Sequence, residues 1–239
     1  MYSSGNDSVC AAHLTAQHSE FSSAVLVDTG IAIAEAHEHA KKTCATMGWK
    51  LLVYKSPFVY EDLVLRYGFP GAAQHGAMYS QLKERAIREL IQDHKTHLHD
   101  RILLVTGVRK AESVRRMSTV TSPIVQKGVT VWVAPMWEWS DSERDQYIAD
   151  HGLPRNPVKD KIHVSGDCLC GAFAEEGEME LLNIFYPNEY KRIKALQDKA
   201  MKQFPWGWDE NPPAWWNQYQ AGQQFLDTDF MPLCWACKR

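Results

Sequence analysis

The chain has 239 residues, 45% hydrophobic and 23% charged, with a formal net charge of -3. That composition suits a globular domain with a full core, and it excludes overall attraction to nucleic acid while leaving room for a local basic groove. No run of about 18 apolar residues occurs, which excludes a membrane-spanning helix. The opening MYSSGNDSV lacks a basic segment followed by an apolar one, so a signal peptide is not expected and the expected location is cytoplasmic. Six cysteines are present, at 10, 44, 168, 170, 234 and 237. In a reducing compartment these are thiols or metal ligands rather than disulfides.

In chain order, residues 1–8 form a small-residue loop, and a helical pattern runs from Val9 to Gln17. Ala24–Val27 reads as a short buried strand ending at Asp28-Thr29-Gly30. A helix over Ala34–Met47 is closed by Gly48, and Leu51–Tyr54 is the next strand. A helix at Tyr79–His94 precedes a third strand, Arg101–Thr106, which runs into Gly107. Val129–Ala134 is a fourth strand, and one long helix is expected over Met179–Met201. Strands alternating with helices predict an α/β fold, a mostly parallel twisted sheet with helices on both faces. Residues 1–160 form the expected core. Residues 161–239, which hold proline-rich turns, most of the tryptophans and both close cysteine pairs, form a helical appendage packed on it.

Ligands of such sheets bind at the carboxyl ends of the strands, so the segments there carry the chemistry. Ser3-Ser4-Gly5-Asn6-Asp7-Ser8 combines small residues, which let backbone N–H groups approach an anion, with the start of a helix. Asp7 cannot bind phosphate itself; it can hold magnesium or orient the loop. Asp28-Thr29-Gly30 offers a carboxylate for a ribose hydroxyl or adenine amine, and a glycine that leaves room for a base. Gly107-Val108-Arg109-Lys110-Ala111-Glu112-Ser113-Val114-Arg115-Arg116 places four cations after a buried strand. Arginine suits bidentate recognition of phosphate or sulfate, and Glu112 can hold one arginine in place. Cys168-Leu169-Cys170 and Cys234-Trp235-Ala236-Cys237 supply four thiolates, enough for tetrahedral zinc or an iron–sulfur cluster. Lys83, Arg85 and Arg88 read as a solvated helix face, and His94, His97 and His99 as a polar helix end. Trp206, Trp208, Trp215 and Trp216 could stack on bases but read better as packing.

These motifs, together with Pro135–Ser140, Tyr147-Ile148 and His151–Pro157, resemble the phosphoadenosine-phosphosulfate (PAPS) reductase-like branch of the adenine-nucleotide α-hydrolase superfamily. The opening hexapeptide is similar to that superfamily's S-G-G-x-D-S loop, with Ser4 replacing its first glycine. In the family the loop follows a first strand. Only Met1 and Tyr2 precede it here, so either that strand lies upstream or another segment takes its place.

The resemblance implies phosphate binding by Ser4, Gly5, Asn6 and Ser8, adenosine near Asp28, Thr29 and Gly30, and an anion site at Gly107, Glu112, Ser113 and Arg116. Asp7, Arg109 and Arg115 are the implied catalytic residues. The nucleotide is ATP or PAPS, with magnesium compatible. The resemblance favours a 4Fe–4S cluster over zinc at Cys168, Cys170, Cys234 and Cys237, although the family pattern has no residue between its first two cysteines. The E-C-G-x-H tail of the reductases does not occur in the sequence. The expected activity is therefore ATP-dependent adenylation with pyrophosphate release, coupled to sulfur transfer or nucleic-acid modification. Reduction of PAPS or adenosine phosphosulfate by an external thiol is one alternative, and a non-catalytic nucleotide-binding subunit another. The expected partners are an adenine nucleotide and a nucleic-acid or sulfur-carrier acceptor. No membrane is expected, and a homo-oligomer is compatible.

Overall fold

A computed structural model describes residues 1–112 and 122–216. Among the described residues, five strands fall into two ladders. β1 (Ala24–Asp28) and β2 (Leu51–Lys55) pair in parallel. β3 (Ile102–Val105) pairs in parallel with β5 (Thr130–Val133), whose other side is antiparallel to β4 (Ile124–Lys127). The expectation of a mostly parallel sheet holds, with one strand added. β4 and β5 form a hairpin whose two-residue turn begins at Gly128, φ 60°, the backbone such turns favour.

The slot between β1 and β3 is taken by the first two residues. Met1 N donates to Val105 O at 2.6 Å, and Tyr2 N–H donates to Val25 O at 2.7 Å. Two residues are too few for a strand, yet they tie the ladders together. Beyond them β1 and β3 part, and a crevice opens at the point where ligands of such sheets bind.

The period of two along β1 sets the layers. Ala24 and Leu26 pack with Val9 and Cys10 of α1 (Asn6–Thr15) and with Ala40 and Cys44 of α2 (Ala34–Met47). Val25 and Val27 face the other way, onto Ala86, Ile87 and Leu90. Helices therefore cover both faces. The second layer is a continuous helical run: α4 (His75–Tyr79), a π turn over Ser80–Glu84, and α5 (Arg85–His94).

Several helices were not legible as such. α3 (Tyr60–Tyr67) follows β2. α6 (Asp141–Asp150) opens with a capping box between Ser140 and Glu143, and α7 (Pro157–Ile162) is capped by Asn156. The single helix expected over Met179–Met201 is two, α8 (Glu178–Phe185) and α9 (Pro187–Ala200). Pro187 has no N–H to continue the first helix and its ring disfavours a helical residue before it, so the chain turns at Tyr186 and restarts.

The later residues share one core with the earlier ones. Ile31, Ile33, Tyr60 and Phe69 pack with Leu182, Ile193, Trp206 and Trp208. Trp206 lies against Gly68, where an added Cβ would sit 2.3 Å from its ring. Trp208 is fully buried and donates its indole N–H to Leu169 O at 2.8 Å. Packing, not base stacking, occupies both rings. Replacing Trp208 with alanine removes this side chain and leaves Leu169 O unpaired. The expected cost is about 3–5 kcal/mol, measured by urea unfolding; a loss under about 1 kcal/mol would refute its place in the core.

Candidate functional site

The opening loop is shaped from within. Ser8 Oγ donates to Gly5 O at 2.8 Å and accepts Ser3 N–H at 3.3 Å. Gly5 is the N-cap of α1 and offers no side-chain cap, so the first amide donors of the helix stay available. Ser4 takes a left-handed backbone at φ 61°, a conformation that favours glycine. It is buried and turned to Asn156, whose Nδ2 lies 3.4 Å from its Oγ. Asn156 also donates its N–H to Asn6 Oδ1 at 3.2 Å and its Nδ2–H to Ser165 O at 2.8 Å. One buried asparagine thus sews the loop to α7 and to Ser165.

Arg109 holds the loop from behind. It is 1% exposed and donates to Asp7, to Asp141 Oδ1 at 2.8 Å and to Trp139 O at 3.1 Å. Arg144 adds contacts to Asp7 at 3.5 Å and Asp141 at 2.9 Å. Burial pulls the Arg109 pKa down, but Asp7 and Asp141 more than offset it, and the net shift is upward. Arg109 does not line the cleft, and its Nε and both terminal nitrogens each bond one of these oxygens, which makes it a positioning residue rather than an anion ligand. Asp7 is likewise committed to orienting the loop. Gly107 lets this happen, since an added Cβ would lie 2.6 Å from the Asp7 carbonyl carbon and 2.8 Å from Ser8 N.

The crevice between β1 and β3 is a cleft of about 480 Å³. Ser3, Gly5, Asn6, Asp7 and Ser8 line it together with Val25–Val27, Thr106 and Gly107. Lys83, Lys159, His163, Ser165 and Asp167 complete its polar wall. Lys83, read from the sequence as part of a solvated face, instead projects from the π turn and pairs with Asp167 at 2.9 Å. Ser165 Oγ donates to the other Asp167 oxygen at 2.5 Å. Burial disfavours both charges, but each stabilises the other: the Lys83 pKa is raised and the Asp167 pKa lowered. The sequence reading also passed over Lys159, His163, Ser165 and Asp167, which lie between the His151–Pro157 motif and the Cys168 pair. The one available signal was that Asp167 directly precedes the Cys168 pair.

Asp28, Thr29 and Gly30 stand beside the cleft rather than on its wall. Asp28 Oδ1 accepts Gly30 N–H at 2.9 Å, and Thr29 Oγ1 donates to Asp167 O at 3.3 Å. Gly30, at φ 74°, has its carbonyl held by Arg192 of α9 at 2.7 Å. Glu112 ends a short turn, Lys110–Glu112. Ser113, Arg115, Arg116, Cys234 and Cys237 lie outside the described residues.

Cys168 and Cys170 are half-buried, and one thiol hydrogen-bonds the other. That bond raises the Cys168 pKa well above the usual thiol value and lowers Cys170 to about 7. Their backbone is clamped: Leu169 N–H donates to Ile31 O at 3.0 Å, and Tyr60 Oη–H to Cys170 O at 2.9 Å. Among the described residues, no group of three or more metal-ligating side chains comes together.

The phosphoadenosine phosphosulfate reductase domain matches residues 1–173. The chain belongs to this family. A phosphoadenosine 5′-phosphosulfate reductase of Xylella fastidiosa is 27% identical over 168 residues, covering 67% of this chain and 66% of that protein. One from Xanthomonas campestris pv. campestris is 27% identical over 173 residues, covering 67% and 65%. The chain thus spans about two thirds of the length of these relatives. The crystal structure of the PAPS reductase of Candida auris, a phosphate complex, aligns at a TM-score of 0.48 and 16% identity, over 66% of this chain and 74% of that one.

Two outcomes are expected. Gly107→Ala should destabilise the fold by about 1–3 kcal/mol in urea titration, because loop backbone must move to admit a methyl group; an unchanged midpoint would contradict the close approach. Burial pushes the Cys10 thiol up to about 12 and the Cys44 thiol to about 11. In the folded protein at pH 8 both should resist iodoacetamide, and both should label after unfolding, read by peptide mass spectrometry. Labelling of Cys10 at the unfolded rate would contradict its burial.

Proposed function

We propose that the cleft binds an adenine nucleotide by its phosphates, and that the enzyme uses ATP to adenylate an acceptor, releasing pyrophosphate. The supporting observation is the convergence of uncapped amides at the start of α1, the Ser3 hydroxyl, and the Lys83 and Lys159 ammonium groups on one crevice. Amides, hydroxyls and ammonium groups are the donors that stabilise charge on a transferring or departing phosphoryl group. In this reaction an acceptor oxygen attacks the α-phosphorus, the α–β bridging bond breaks, and pyrophosphate leaves. The acceptor we infer is a nucleic acid or a sulfur carrier, whose adenylated carbon is then attacked by a sulfide-level sulfur nucleophile that displaces AMP. A second reading is reduction of PAPS or adenosine phosphosulfate by an external thiol, favoured by the names of the relatives.

We also infer that Cys168 and Cys170, with Cys234 and Cys237, hold a 4Fe–4S cluster or zinc. The two described thiols suit that role: they meet each other on a clamped backbone, and one deprotonates near neutrality. A bound cluster would supply redox capacity directly beside Asp167, which precedes Cys168 in the chain. Cys168 and Cys170 keep those thiols paired, and Asp167 holds Lys83 towards the cleft.

The test is incubation of the purified chain with ATP, magnesium, total RNA and a sulfur-carrier protein, and separately with PAPS and a thiol, reading pyrophosphate and sulfite. Pyrophosphate release supports the first reading and sulfite the second; nucleotide binding with neither product rejects both reactions. The paired variant Lys83→Met with Asp167→Asn leaves no lone buried charge, and should weaken nucleotide binding about tenfold or more. Unchanged affinity would remove Lys83 from the site.

A further inference from the structure

α1 carries the opening loop at its start, and α6 packs alongside it. The two helices meet at two levels. Near their starts Asp7 of α1 and Arg144 of α6 lie 3.5 Å apart, within the charge network around Arg109. Near their ends a second cluster joins them: His13 of α1, Tyr147 of α6, and His151, the residue that caps α6. His13 Nδ1 lies 2.7 Å from Tyr147 Oη. The Tyr147 ring stacks on His151 with centroids 4.1 Å apart, and Trp139 packs against it at 5.1 Å. The His13 and His151 rings meet edge to face at 5.0 Å.

His151 is anchored through its own backbone turn, because its Nδ1 lies 3.0 Å from Tyr147 O. A carbonyl only accepts, so Nδ1 carries the hydrogen and a further proton goes to Nε2 without breaking this bond. The ring keeps its place whether neutral or charged. His13 is half-buried, and the titratable groups that face it from α6 are Tyr147 and His151. The nearest titratable residue on α1 itself is Cys10, one turn back, and β3, which also packs on α1, carries none. Burial pushes the Tyr147 and Cys10 pKa values up, so neither offers a negative charge at neutral pH. Burial, and then His151, hold the His13 pKa below the ordinary histidine value.

We propose that His13 and His151 form a pH-sensitive latch between α1 and α6 that sets the pose of the opening loop. With both rings neutral the latch is closed, and it joins the helices at the end opposite the Asp7–Arg144 pair. Once both imidazoles are charged they repel across 5.0 Å, while Asp7 and Arg144 still hold the other end. α1 then turns about Asp7, and the amides of its first turn move with it. The folded state binds the His13 proton less tightly than the unfolded chain does. The latch therefore contributes fully above the ordinary histidine pKa of about 6.5, and its contribution falls as the pH drops below that value. Its effect on ligand binding rests on the nucleotide reading above; the latch itself does not.

The test compares the wild type with His151→Gln, which keeps a donor for Tyr147 O but takes up no proton. The side chain is exposed, and thermal unfolding at neutral pH checks that the variant folds. Histidine NMR follows the His13 ring, and calorimetry follows ATP binding, from about pH 8 to about pH 5.5. The expected result is a higher His13 midpoint in the variant, and a loss of ATP affinity on acidification about threefold or more greater in the wild type. Comparing the two proteins cancels the titration of the ATP phosphates and of His163, which lines the cleft in both. A wild-type His13 midpoint at or above the ordinary value, or one that the substitution leaves unchanged, overturns the latch. A raised midpoint with identical ATP profiles overturns its hold on the loop. If ATP binds neither protein, the nucleotide reading fails, and the latch is judged by the midpoint and by the acid-induced drop in Tm. That drop should be smaller in the variant, and an equal drop overturns the latch.

Discussion

The geometry of the cleft depends on the buried pairing of Arg109 with Asp7. A guanidinium with almost no exposure must have its donors satisfied, and two carboxylates and a carbonyl do this. The consequence is positional. The strand that ends at Val105 is locked to the first turn of α1, and the loop amides are fixed relative to the sheet. Such a pair contributes orientation more than net stability, because desolvating both charges costs much of what their attraction returns. It also explains why an arginine and an aspartate next to a phosphate loop need not touch phosphate.

Much of this was legible in the sequence. The strands at Ala24, Leu51 and Ile102 could be read because each is a short apolar run bounded by turn residues, and their alternation with helices gave the layers. The loop was singled out by its resemblance to the superfamily's S-G-G-x-D-S segment, since small residues before a helix also read as an ordinary helix cap. The roles of its charged members were harder, since a residue type does not say which way a side chain turns. Arg109 looked like an anion ligand because it follows a buried strand, and only the packing showed its carboxylate partners. Lys83 looked solvated because its neighbours are charged. α3 is short, α6 and α7 are marked by caps more than by periodicity, and the break at Tyr186 was hidden by continuous helical pattern on either side of one proline.

The later part of the chain does more than cover the core. Arg192 of α9 reaches Gly30 O and Glu61, and Thr29 reaches the backbone of Asp167. The turn after β1 is therefore held by residues more than a hundred positions away. Asn156 does the same for the opening loop. Cleft and cysteine segment form one mechanical unit, so a ligand that orders Cys168 and Cys170 would stiffen the polar wall as well.

The π turn over Ser80–Glu84 has a consequence for how this helix can vary. Met78, Leu82, Ala86 and Leu90 are all buried, at a constant spacing of four. Met78 and Leu82 pack with Ile33, Tyr60 and Leu182, whereas Ala86 and Leu90 pack with Val25 and Val27 of β1. In a regular α-helix, with about 100° per residue, each step of four slips by about 40°. One wider turn takes up the slip, because it accommodates an extra residue without breaking the helix. One helix face thus serves two cores, and Lys83 leaves it from within the wider turn. A helix without that turn would have to give up one of the two contacts.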